Sequence, residues 1–205
     1  MKCLHRADLY GWSQFNEDRN IDFHSVLWVR PDGNVAVDPL PLSAHDQEHL
    51  QQVGGAAWIV VTNSDHVRDA EELAQKTRAK LAGPSAGAAN FPIRCDRWLE
   101  DGEEVVPGLK VFELEGSKTA GELALLLEGS TLIVGDLVRV HEGGRLCVLP
   151  DAKLFNKAKA IASIQRLVDA GKIDAVLTGD GWPIFRDGNI ALVELLSKLG
   201  CEASR

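Results

Sequence analysis

The sequence has no apolar stretch near the ~18 residues that cross a bilayer. Its longest apolar runs are short, as at 56–61 and 123–127. No transmembrane helix is therefore expected. Cysteine is scarce: Cys3, Cys95, Cys147 and Cys201 lie far apart and form no C-x-x-C pair. That argues against a zinc ribbon or a disulfide scaffold. The first residues, MKCLHRADLY, lack the apolar core of a secretory signal, so a cytoplasmic protein with reduced thiols is expected. No Lys/Arg cluster relieves the acidic balance of 22 basic and 30 acidic residues, net charge −8. Nucleic acid and anionic membrane would be repelled and are not expected as partners, which leaves a small-molecule substrate or ligand. Also missing is a P-loop. Nothing in the composition sets an oligomeric state.

What is present is ordinary for a globular protein, 45% hydrophobic and 25% charged. A chain of 205 residues reads as one domain, 1–205, able to bury roughly 70% of its unfolded surface without staples. Strands at 25–30 and 35–38 around Pro31-Asp32-Gly33-Asn34 read as a hairpin. Ser43 reads as the N-cap of a helix to Val53, closed by Gly54-Gly55. The continuous apolar run 56–61 predicts a strand buried on both faces, and 67–80 a helix carrying Ala70, Leu73 and Ala74 on one side. Residues 9–12 show no period, and 83–91 read as loop. Short strands follow at 104–106, 109–114, 123–127 and 131–134, then an amphipathic helix at 153–170, a buried strand at 174–177 and a last helix at 189–199. A β-meander amid α/β segments does not fit one doubly wound sheet; two α/β halves packed as a sandwich do.

Loops at the ends of buried strands carry sites, and four such ends are polar. They are 62–69 (TNSDHVRD), 115–121 (EGSKTAG), Gly135-Asp136 and Gly179-Asp180-Gly181-Trp182. In that order, with Val37-Asp38-Pro39 after the early hairpin, they resemble the metallo-β-lactamase superfamily. Its landmarks run T-H-x-H-x-D-H, G-H-T-P-G, G-D and G-H-G, and the resemblance extends from about Ser25 to Trp182. It implies an α/β fold of the αβ/βα sandwich type, hydrolytic activity and a metal centre at the strand ends.

The ligand set departs from that pattern. Anchored on Thr62, the motif histidines fall on Asn63 and Asp65, the motif aspartate on Val67 and the next histidine on Arg68. The hairpin histidine falls on Ser117 or Lys118, the last one on Asp180, and Asp136 matches. A register slipped by one offers Ser64, His66, Arg68 and Asp69 instead. Zinc in this fold uses imidazoles with one or two carboxylates. Val67 has no donor and Arg68 stays protonated, so a dinuclear zinc centre is not expected.

Two readings remain open. In the first, a hydrolase with a remodelled, histidine-poor site, Asp65, His66, Asp136 and Asp180 hold a single hard divalent ion: Mg²⁺, Mn²⁺ or Ca²⁺. Asp65 and Asp136 then act as ligands or general bases, and Arg68 and Lys118 hold an anionic substrate group or an oxyanion. In the second there is no metal. Arg68 and Lys118 take the metal positions and offset the carboxylates in a salt-bridge network, and the chain is a pseudo-enzyme or a small-ligand binding module. Fixed cations repel a divalent ion, so the two nearly exclude each other. Trp182, beside Asp180, is the candidate stacking wall for a substrate, with Lys118 as a second contact. Plainer roles compete: Ser64 or Asp65 as a helix cap, Asp69 as a dipole partner, 116–118 as a hairpin turn. His45 and His49 read as a solvated helix face.

Overall fold

A computed structural model describes residues 1–202. Strands β1 (Lys2–Cys3), β2 (Leu9–Asn16), β3 (Ile21–Trp28), β4 (Val35–Val37), β5 (Trp58–Val60), β6 (Lys80–Pro84) and β7 (Arg97–Leu99) pair in that order into one sheet. The sheet is antiparallel as far as β4 and parallel beyond it. Parallel neighbours need crossovers, and α1 (Ala44–Gln52) and α2 (Ala70–Thr77) supply those into β5 and β6. The second sheet is built from β8 (Leu109–Leu114), β9 (Glu122–Leu127), β10 (Thr131–Val134) and β13 (Ala175–Thr178), with β10 between β9 and β13. Between β10 and β13 run a small hairpin, β11 (Val138–Glu142) with β12 (Arg145–Val148), and helix α3 (Lys157–Asp169). Helix α4 (Gly188–Glu202) follows β13.

The strand β9 shows why the layers form. All six of its residues, ELALLL, are buried, and a period of two sends alternate side chains to opposite faces. Leu123, Leu125 and Leu127 enter the core between the sheets with Val26, Val37, Val60 and Ile133. Ala124 and Leu126 enter the core beneath α3 and α4, with Ile164, Leu167, Leu192 and Leu195. A third cluster, Ile59, Val61 and Leu81 with Leu50, Ala70 and Leu73, packs α1 and α2 on the first sheet. The order of layers is helix, sheet, sheet, helix, an αβ/βα sandwich.

The early hairpin, α1 with its Ser43 cap and the strand 131–134 stand where the sequence pattern puts them. Strands β2, β6 and β7 and the β11–β12 hairpin were not legible. The segment KLAGP of β6 ends on loop residues and is a strand because β5 and β7 pair with it on both sides. Residues 104–106 form no strand; Glu104 makes only an isolated bridge to Lys110. Helix α2 begins later than its periodicity suggests because Arg68 sits at φ 45°, a left-handed conformation that no helix contains. Helix α3 starts at Lys157, after a 3₁₀ turn at Asp151–Lys153, with Asn156 accepting from Lys159 N at 3.0 Å as its cap. Among the described residues no helix is long and apolar enough to cross a membrane.

Candidate functional site

The loops after β4, β5, β10 and β13 meet the β8–β9 turn in a cavity of about 620 Å³. Asp65, His66, Arg68, Lys118, Asp136 and Asp180, far apart in sequence, all line it. Both registers considered for the 62–69 segment contribute. Asn63 caps the 3₁₀ turn Ser64–His66 by accepting from Asp65 N at 2.9 Å, and Val67 packs in the core outside the first sheet.

Asp38, only 3% exposed, organises the floor from the end of β4. Its carboxylate accepts from Thr62 N at 2.7 Å, Thr62 Oγ1 at 2.6 Å and His66 Nδ1 at 2.8 Å. That contact fixes the ring, leaving His66 Nε2 3.5 Å from Asp136 Oδ2 and 3.8 Å from Asp180 Oδ1. The Gly179 that precedes Asp180 makes room for the ring, since a Cβ there would lie 2.6 Å from His66 Cε1.

The cations are as firmly placed. Arg68 donates through Nη1 to His24 O at 2.6 Å and Asp38 O at 3.0 Å, and through Nη2 to Gly179 O at 3.2 Å. Anchorage to three carbonyls offsets the strain of its left-handed backbone and holds Nη2 3.7 Å from Asp180 Oδ1. Arg139, on β11, makes a close salt bridge to the other oxygen of Asp180. Lys118 Nζ stands 2.6 Å from Asp65 Oδ2 and 3.0 Å from Asp136 Oδ2. Glu122, fully buried at the start of β9, accepts from Ser117 Oγ and from Leu137 N, so one side chain ties the loop of Lys118 to the loop of Asp136.

Protonation follows from these neighbours. Burial alone would depress the His66 pKa, but the charge and hydrogen bond of Asp38, with Asp136 adding, lift it above the ordinary value. Burial pushes Asp136 up, and His66, Lys118 and Arg139 together carry it below the usual carboxylate range. For Lys118 burial is outweighed by Asp65 and Asp136, and its pKa rises. Burial, with the charge of Asp136, pushes Glu122 up to about 7. The floor thus sets four aspartates against His66, Lys118 and two arginines.

Trp182 is the exception among the expected residues. It is 68% exposed, its indole Nε1 donates to Asp22 Oδ2 at 2.8 Å, and it lies outside the cavity lining. The aromatic wall comes instead from Phe15 and Phe23 on β2 and β3. Sequence reasoning also missed Glu122 and Arg139, and treated Asp38 only as a landmark. A lone acid opening the apolar run of β9 was a readable signal for Glu122. Arg139 had none, lying on a strand that the pattern did not reveal.

The metal question turns on donors. Asp136 Oδ2 and Asp180 Oδ1 are buried without a well-aligned hydrogen bond, although Lys118 Nζ stands 3.0 Å from the former. With a nitrogen of His66 they form, among the described residues, one group of three donors within 4.8 Å. That is a donor set for one ion. It does not fit two.

Two stacked sheets flanked by helices, with polar loops gathered at one set of strand ends, define the metallo-β-lactamase class of folds. The model of the metallo-beta-lactamase superfamily matches residues 1–199, and the chain belongs to that superfamily. Among solved structures it is similar to the DIM-1 metallo-beta-lactamase, at 15% identity and TM-score 0.74 over 96% of this chain and 95% of that one. A metallo-beta-lactamase from Pontibacter korlensis aligns at 17% identity and TM-score 0.72 over 94% of both chains. ETHE1 from Myxococcus xanthus aligns at 21% and 0.61, over 84% of this chain and 76% of that one. Among curated proteins none matches. The superfamily usually holds metal ions and its fold is hydrolase-type; identities this low carry the fold alone.

Proposed function

We propose that this chain binds a small molecule in the main cavity without a resident metal ion, its former metal centre having become a salt-bridge network. One observation carries the reading: each carboxylate of the floor already has a fixed cation. Asp38 has His66, Asp65 and Asp136 share Lys118, and Asp180 has Arg139 with Arg68 nearby. The four aspartates thus face His66, Lys118, Arg68 and Arg139 before any ion is added. A divalent ion would have to displace Lys118 from Asp136 and a proton from His66. The dinuclear centre of the superfamily does not fit these residues at all.

A second reading, the hydrolase with one hard divalent ion, is favoured by the two carboxylate oxygens without a well-aligned hydrogen bond. In it His66, Asp136 and Asp180 would hold the ion, which would supply polarisation of an ester or phosphate oxygen. Asp38 would orient the imidazole through Nδ1, and Arg68 and Lys118 would neutralise developing negative charge.

Elemental analysis of protein purified without chelator or affinity tag, paired with melting curves in EDTA and in Mn²⁺, decides between them. The network reading expects substoichiometric metal and melts indifferent to both additives. Stoichiometric metal, or a melt raised by Mn²⁺, would overturn it in favour of the hydrolase.

A further inference from the structure

We propose that Phe15, Asp22 and Trp182 form a seat for the quaternary ammonium group of a small molecule at the rim of the main cavity. The seat lies outside the floor network and does not depend on whether an ion is held there.

Asp22 is its centre. Phe15 stands directly opposite Asp22 in the β2–β3 ladder, so the two side chains share a face with Cβ atoms about 5 Å apart. The Trp182 indole Nε1 donates to Asp22 Oδ2 at 2.8 Å, which fixes the ring beside the same carboxylate. The backbone beneath is fixed as well: His24 N donates to Gly179 O at 2.9 Å, and Gly181 N to Asp22 O at 2.8 Å. The segment leading into Trp182 is therefore laced onto β3, and little order has to be gained on binding.

The surfaces of the seat are open. Phe15 is 53% exposed and Trp182 68%. Among the described residues neither ring meets another ring or a cation. Asp22 Oδ1 accepts no hydrogen bond and reaches solvent, and no described cation forms a salt bridge with Asp22. The neighbouring cations are engaged on the other face. Phe23, next along β3, points the opposite way and carries the Arg19 and Arg68 guanidinium carbons 5.8 and 5.4 Å from its centroid. His24, on the Asp22 face, has its pKa lowered by burial and is uncharged at neutral pH.

A half-buried carboxylate with free ring faces beside it attracts a cation through its charge and the ring quadrupoles. A primary ammonium brings three N–H donors and would find one free carboxylate oxygen. A quaternary ammonium brings none, and its methyl groups lie against the rings. Phe15 also lines the main cavity, which puts the seat within reach of a small molecule bound there.

The probes are choline, its neutral isostere 3,3-dimethylbutan-1-ol and its primary analogue ethanolamine, titrated in EDTA at constant ionic strength. Choline should saturably shift the Phe15 and Asp22 amides and the Trp182 indole N–H in NMR spectra. The alcohol and ethanolamine should each bind more weakly by about fivefold or more. Phe15→Ala, Trp182→Ala and Asp22→Asn should each weaken choline by about threefold or more, and Asp22→Asn should leave the alcohol unchanged. Both rings are exposed and Asn keeps an oxygen for the indole, so amide spectra away from the seat should stay as in wild type. Phosphatidylcholine vesicles should not sediment the protein. Shifts that do not saturate, an alcohol or ethanolamine that binds as well as choline, any of the three variants binding choline like wild type, or sedimentation with the vesicles would overturn the inference. Metal content is a separate readout, so this seat and the metal-free reading stand or fall independently.

Discussion

Replacing Asp136 by Asn removes one charge from the centre of the network without changing its shape. Asp136 is 1% exposed and faces two cations, Lys118 Nζ at 3.0 Å and His66 Nε2 at 3.5 Å. Unit charges about 4 Å apart attract by roughly 4 kcal/mol at an effective dielectric of about 20. Breaking a buried pair by removing one partner costs about 3–5 kcal/mol. The Lys118 side chain, 21% exposed and still tied to Asp65, can turn toward water; His66, 4% exposed, cannot. The loss should therefore fall at the lower end, about 3 kcal/mol. At about 2–4 °C per kcal/mol for a chain of this size, Tm should drop by about 6–12 °C. The folded-state pKa of Asp136 is depressed, so its contribution is present above the ordinary carboxylate value and is lost as pH falls through the depressed one. The gap between wild type and variant should be full at about pH 6 and shrink toward pH 3. Calorimetry of both proteins in EDTA and in Mn²⁺ measures it. A variant that melts with wild type in every buffer at pH 6 would refute the network. A wild-type melt that depends on Mn²⁺, with the variant indifferent, would place an ion there instead.

Glu122, raised to about 7 from 4.5, is held neutral by the fold, so the folded state keeps a proton that the unfolded chain has lost between those values. Stability should fall by about 3 kcal/mol as pH rises through that window, and Glu122→Gln should remove that slope in urea melts at pH 5 and 7.5. His66 adds a loss at higher pH: its pKa is raised, so its contribution is full below about 6.5 and disappears as pH rises through the raised value. His66→Gln should remove that component in the same melts extended to pH 9. Arg139→Met breaks the buried pair with Asp180 and should cost about 3 kcal/mol, whereas Arg145→Ala breaks an exposed pair and should stay within about 0.5 kcal/mol. Equal effects in guanidinium unfolding would contradict that contrast. Leu125→Ala, at a fully buried position between the sheets, should cost about 2–5 kcal/mol by the same measurement.

The residues Asp65, His66, Arg68, Lys118, Asp136 and Asp180 were readable as candidates because each follows or adjoins a buried apolar run. Such runs end abruptly where chain leaves the sheet, so polar residues just beyond them mark one rim of the sandwich. The same runs, buried on both faces, disclosed the layered α/β class, since only a sheet covered on each side needs apolar residues at every position. Tertiary structure alone decided what those residues do. The Thr62 register put Asp65 and Arg68 toward the site and offered no role for His66, yet Asp38, lying 28 residues earlier, draws the imidazole inward. Arg68 reads as a helix residue until three carbonyls from three segments hold its guanidinium and bend its backbone out of the helix. Trp182 sits beside Asp180 in sequence and outside the cavity in space, because its indole N–H finds Asp22. Arg139 and β6 escaped for one reason: their state is set by partners distant in the chain, and local pattern carries no record of a distant partner.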